Sequence, residues 1–132
     1  MSEENLDVAR RFGEAFSARD IDSLVEQASE DCVIVALRSE IEGAFVGRDG
    51  VRRWAEDHFG SAPDAEVTLE RVVAVDDKRI LALGRQRGTV HLGRVPFDGP
   101  LAIILEIRAG KLKRLTAFPT HAEALEAAGL SE

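Results

Sequence analysis

The stretch Leu101-Ala102-Ile103-Ile104-Leu105-Glu106-Ile107-Arg108-Ala109-Gly110-Lys111-Leu112-Lys113-Arg114-Leu115 decides the fold. Ala109-Gly110 is a two-residue turn signal between two runs rich in Ile and Leu, which is how a β-hairpin reads. It places strands over 95–108 and 111–118. The same period of two begins at Ala65. It predicts a strand over 66–75, a turn at Asp76-Asp77-Lys78 and a strand over 79–91. The cluster Pro96-Phe97-Asp98-Gly99-Pro100 predicts a bend at the start of the third strand. The four strands form an antiparallel meander.

Upstream of the meander the period is helical. Leu6, Ala9, Phe12 and Phe16 recur every three to four residues and make one apolar stripe. Ser2 is a candidate cap, and Glu3 and Glu4 favour the positive end of the helix dipole. Asp20 is the expected N-cap of a shorter helix through Ile21, Leu24, Val25 and Ala28, closed by Ser29-Glu30-Asp31. Residues 32–37 are an unbroken apolar, β-branched run and predict a strand covered on both faces. A third helix is expected from the segment 47–54, with Asp49 as cap, Val51, Trp54, Ala55 and His58 along one side, and Gly60 as stop. Pro119 ends the meander. Thr120 and Glu123 are spaced as a capping box for a last helix over 122–128, closed by Gly129.

Helices grouped ahead of an antiparallel sheet mean α+β. The expected fold is a curved antiparallel or mixed sheet wrapped on the N-terminal helices, a cone with a mouth, in one domain over 1–132. Residues 101–105 do not alternate, so that strand needs cover on both faces. A second copy of the chain is the expected cover, giving a symmetric homodimer through the outer face of the sheet.

Composition narrows the function classes. Of 132 residues, 45% are hydrophobic and 31% charged, as in a globular chain. There are 17 Lys and Arg against 24 Asp and Glu, a formal net charge of −7. This disfavours nucleic-acid and anionic-membrane partners, which need a cationic face. The basic clusters Arg48, Arg52, Arg53 and Lys111, Lys113, Arg114 carry no interleaved aromatics and read as solvated surface. With Cys32 alone, neither an intrachain disulfide nor a cysteine-rich metal site is available. The three histidines have no metal-ligand spacing, so no metal and no cofactor are expected. No apolar run is long enough to span a membrane. The first ten residues are acidic rather than a cationic lead into an apolar run, so a cytoplasmic protein is expected.

Several segments together resemble a known family. They are Val8 to Phe16, Arg19 to Leu24, Gly47 to Trp54, Gly110-Lys111-Leu112 and Ala122 to Leu130. In order and spacing they are similar to the SnoaL-like branch of the nuclear transport factor 2-like superfamily. The resemblance implies a cone-shaped α+β barrel with a deep pocket, usually dimeric. It does not imply one activity, because the superfamily includes ketosteroid isomerases, polyketide cyclases, epoxide hydrolases and members with no active site. The isomerase needs an Asp base, and a Tyr plus a protonated Asp that donate to an enolate oxygen. This chain has no tyrosine. Matching the motifs puts Phe12 at the tyrosine, Arg38 near the base and Ile103 near the second acid. All three roles are lost by that matching. The acid of the cyclases and the Asp-Arg-Asp set of the epoxide hydrolases find no clear counterparts either.

The remaining candidates come from the residues themselves. His58, one turn after Trp54, is a candidate base or ligand donor; its alternative role is a helix C-terminal residue favoured by the dipole. Arg38 follows an apolar strand and can bind a carboxylate or enolate, or else pair with Glu40 or Glu42. Arg85 and Arg87 share one strand face, with Gly84, Gln86 and Gly88 opposite. That register points the arginines outward, where Glu106 can pair with one of them. A slip of one residue reverses it and makes Arg85 and Glu106 a polar pair inside the cone. The expected ligand-binding wall is Phe12, Phe16, Val51 and Trp54 from the helices. From the sheet it is Ile103, Leu105 and Leu115, with His58 and Gln86 as polar members. One reading is thus a protein binding a small, largely apolar, cyclic ligand, with room for isomerase-, cyclase- or hydrolase-type chemistry. The other is a non-catalytic dimeric or partner-binding module whose pocket is a vestige.

Overall fold

The structure, a computed structural model, describes residues 2–37, 39 and 43–130. Two helices, α1 (Ser2–Ser17) and α2 (Ile21–Gln27), precede β1 (Ala28–Val35) and the short β2 (Phe45–Val46). Then follow α3 (Gly47–Ser61), β3 (Glu66–Ala74), β4 (Arg79–Val90), a 3-10 turn at Leu92–Arg94, β5 (Val95–Arg108), β6 (Lys111–Ala117) and α4 (His121–Ala128). The six strands form one sheet in the order β2-β1-β6-β5-β4-β3. All pairs are antiparallel except β1 with β6, which is parallel. This is the expected α+β architecture with a mixed sheet.

Local chemistry accounts for most boundaries. Asp20 caps α2, its carboxylate accepting the Ser23 N–H at 3.2 Å. Ala109 and Gly110 both have positive φ, 51° and 77°, as a tight two-residue hairpin turn demands. The Thr120 hydroxyl oxygen accepts the Glu123 N–H at 3.1 Å, and Gly129 closes α4 at φ 76°.

Four expectations are corrected. Helix α2 does not continue through Ala28 to a stop at 29–31. Ala28 is already extended, pairs with Leu112, and starts β1. Lys113 of β6 reaches across to Asp31, so a distant strand claims this polar segment. Asp49 does not cap α3. The helix begins at Gly47 after Val46, which makes no side-chain cap bond, and Asp49 lies in the first turn. Gly60 does not end α3, which runs to Ser61. Nor do Pro96 to Pro100 bend the sheet. Their register with β4 is unbroken from Val90↔Val95 to Arg85↔Pro100.

Alternation sorts β5 cleanly. Ile103, Leu105 and Ile107 face the N-terminal helices, and Ala102 and Ile104 face the back. The back is covered by α4, whose Ala124, Leu125 and Ala128 pack on Leu81, Leu83, Ala102 and Ile104. The chain therefore supplies the second cover itself, and this strand does not require another copy to hide it. Half-buried His121, which begins α4, donates its Nε2–H to the Gly84 carbonyl at 2.8 Å.

On the concave side the helices close only part of the hollow. Leu24, Ile34, Val51, Ile80 and Leu112 are fully buried at the packed end. Asn5 of α1 is buried and donates to the Asp77 carbonyl at 2.7 Å, tying α1 to the β3–β4 turn. At the other end β3 curls over. Its register shifts between Leu69 and Arg71, leaving Glu70 as an extra residue. Gly84 lies opposite, where a Cβ would stand 2.1 Å from the Thr68 carbonyl oxygen. Only glycine permits that approach.

Candidate functional site

Helices α1 and α3 carry a ladder of rings. Phe12 and Phe16 are one turn apart on α1; Trp54 and His58 are one turn apart on α3. Side chains so spaced share a helix face, so the pairs meet. Phe12 and Trp54 stack at 6.3 Å between centroids and 15° between planes. Phe16 touches Trp54 at 5.7 Å, His58 at 5.0 Å and Phe59 at 5.1 Å. This ladder is one wall of a cavity of about 1070 Å³. The facing wall is the concave sheet, where alternate residues point in.

Of the residues expected at a ligand, Phe12, Phe16, Trp54 and His58 line this cavity from the helices. Gln86, Ile103, Leu105 and Leu115 line it from the sheet. Val51 does not. It is fully buried in the packed core, one step round α3 from Trp54. Arg85 and Glu106 do not reach the cavity either. Arg85 is exposed on the back of the sheet and bridges Asp98 at 2.8 Å. Glu106 sits opposite Arg79 and Arg114, six rows along from Arg85, so the two never meet. Arg87 instead approaches Glu66 at 3.9 Å. Arg38 lies outside the described residues.

Val67, Leu69 and Val72 of β3 also line the cavity, and the sequence pattern does not foretell them. A strict period of two from Val67 and Leu69 would turn Arg71 inward. The extra residue at Glu70 turns Val72 inward instead. The available signal is Gly84, since an isolated glycine in a strand marks a bulge or a close backbone approach.

Polar groups in the cavity are few. Arg10, Glu14, Ser17, Asp57 and Ser61 are exposed at its edge. The half-buried polar side chains are Ser39, which accepts the Ala36 N–H at 2.9 Å, and His58 and Gln86, neither of which makes a hydrogen bond among the described residues. Burial among rings pushes the His58 pKa below its usual value, and the Arg19 charge pushes the same way. Both effects favour the neutral ring, which has one nitrogen to accept and one to donate. Phe12 and Ile103 are apolar wall. Among the described residues no group of three His, Cys, Asp or Glu can hold a metal ion. No described helix is long and apolar enough to cross a membrane.

The SnoaL-like domain family matches residues 9–115. The chain is a SnoaL-like protein. No curated protein sequence matches it. Among solved structures, Bal32a from a soil-derived mobile gene cassette is 23% identical with TM-score 0.80, over 95% of each chain. A protein assigned as a candidate SnoaL-like polyketide cyclase from Jannaschia sp. CCS1 is 15% identical with TM-score 0.78, covering 98% of this chain and 94% of that one. TerC, co-crystallized with polyporic acid, is 14% identical with TM-score 0.76, covering 96% and 98%. At these identities the likeness is one of fold. It gives this SnoaL-like protein the conical α+β architecture of ketosteroid isomerase-like and polyketide cyclase-like proteins.

Proposed function

We propose that this SnoaL-like protein binds a small, largely apolar, cyclic ligand between α1, α3 and the concave sheet. The observation that carries the reading is the cavity of about 1070 Å³ walled by the Phe12–Trp54 stack, where His58 and Gln86 make no side-chain hydrogen bond among the described residues. Ligand pockets are built this way, mostly apolar with a few convergent polar groups, at roughly 300–1,000 Å³. The Trp54 face suits a flat ring system. The fold likeness to TerC, itself co-crystallized with a small molecule, is in keeping with a ligand-binding interior. If a reaction follows binding, His58 is the group placed to take a proton, as a neutral imidazole beside the ligand. A vestigial, side-chain-filled interior is the less favoured reading, because the space is open.

The test is a thermal-shift and Trp54-quenching screen of hydrophobic cyclic compounds. Binding raises the melting temperature and quenches the single tryptophan. A panel that moves neither overturns the proposal.

We also infer a homodimer. Support comes from Val90, Leu92 and Val95 at the end of the β4–β5 hairpin, which stay 37%, 83% and 56% exposed. Apolar side chains so grouped favour cover by a partner. A monomer by light scattering at micromolar concentration overturns this. A cytoplasmic setting belongs to the same proposal and rests on composition alone.

A further inference from the structure

A second chamber of about 410 Å³ adjoins the cavity and shares Phe16, Ser17, His58 and Val67 with it. Its character differs. Arg19, Asp64, Glu66 and Thr68 make most of its remaining wall.

The three charges there are not equally engaged. Asp64 accepts the Thr89 N–H at 2.8 Å, and that bond holds its carboxyl below the usual range. Glu66 lies 3.9 Å from Arg87. Arg19 forms no ion pair among the described residues. It gives one N–H to the Ala65 carbonyl at 2.9 Å, and its guanidinium lies over the Phe59 ring, 5.4 Å from the centroid. These contacts fix the guanidinium plane while using one of five donors. The backbone adds a second observation. Arg19 follows α1 with φ 56°, where glycine is the ordinary residue.

We propose that Arg19 is the counter-ion for a carboxylate on the ligand, whose apolar ring body fills the main cavity while its acidic arm passes His58 into the second chamber. The inference rests on the ligand-binding reading above and narrows it from apolar compounds to amphiphilic acids. A rigid guanidinium with free N–H groups matches a carboxylate in two-point geometry. Neither acid of the chamber closes an ion pair on Arg19: Asp64 feels its charge but is bonded to the backbone of β4, and Glu66 lies toward Arg87.

The probes are 1-pyrenebutyrate and 1-pyrenebutanol, equal in body and arm length and different in charge. Fluorescence anisotropy at low salt and pH 7.5 reads their affinities. The wild-type chain is expected to hold the acid about tenfold tighter than the alcohol. Arg19→Gly, which suits the backbone at φ 56°, abolishes that preference, read as the ratio of the two affinities. Arg19→Lys keeps part of it. Equal affinities in the wild type, or a preference that survives Arg19→Gly, overturn the inference and leave the cavity reading standing. If neither probe binds, both readings fall.

Discussion

The rings of Phe16 and His58 face each other at 5.0 Å between centroids, tilted by 54°, and join the first helix to the third at the cavity wall. This contact shields one side of the half-buried imidazole, and partial loss of hydration disfavours its charged form.

His58 is therefore expected to titrate below the usual histidine value of about 6.5. The unfolded chain takes up this proton at higher pH than the native one. Stability from this group is complete above the unfolded value and is lost as pH falls through the native one. Two-dimensional NMR of the ring protons reads the midpoint. Denaturant unfolding from pH 8 to pH 5 reads the loss, which His58→Phe reduces. A midpoint above 7 contradicts the account.

Gly84→Ala is expected to cost about 3 kcal/mol or more, as overpacking in a rigid sheet does. The new methyl would stand 2.1 Å from the Thr68 carbonyl, and backbone cannot step aside as a flexible side chain can. At Gly99, on the neighbouring strand, an added methyl would meet nothing within 4 Å. Gly99→Ala should stay within about 0.5 kcal/mol of the wild type. Urea melts of the two variants separate close approach from glycine content.

Cover of the sheet's back is testable through α4. Thr120→Ala removes the cap and should cost about 1 kcal/mol. Leu125→Ala empties a buried site against β4 and β5 and should cost about 3 kcal/mol. Thermal melts read both. A Leu125→Ala cost near zero would mean that α4 does not hold the sheet.

Cys32 is fully buried in the core, and burial pushes its thiol up to about 11. Asp31 next to it acts in the same direction. The folded chain should resist a thiol-specific reagent at pH 8 and react in denaturant, since the thiolate is the reactive form. Rapid labelling of the native chain would place Cys32 outside the core.

Local turns and caps are legible in the sequence, and shifts of strand face and tertiary cover are not. The hairpin at Ala109-Gly110 and the cap at Thr120 follow from short-range chemistry, and both stand. Outward Arg85 followed from small residues on the opposite face of β4. Val72 was missed because one extra residue shifts the strand's faces, and alternation carries no memory across a bulge. Val51 was misplaced for another reason. Val51 and Ala55 lie on one edge of the α3 stripe and are fully buried, while Trp54 and His58 lie on the other. Which edge meets the void depends on where the sheet bends, and no pattern on α3 records that. The fate of the second apolar face turned on α4 folding back across β4 and β5, a tertiary choice.

The parallel pairing of β1 with β6 sets Ile34 beside Leu115 and ties the two halves of the polypeptide together. During synthesis, the helices and first strands leave the ribosome well before their central neighbour exists. Until Lys111–Ala117 emerges, β1 lacks its partner on one side, and Cys32 and Ile34 have no complete interior to enter. Such long closure slows folding and prolongs contact of greasy segments with the cell's chaperones. A nascent chain stalled before residue 111 should thus be readily digested, and one extended past 117 should resist.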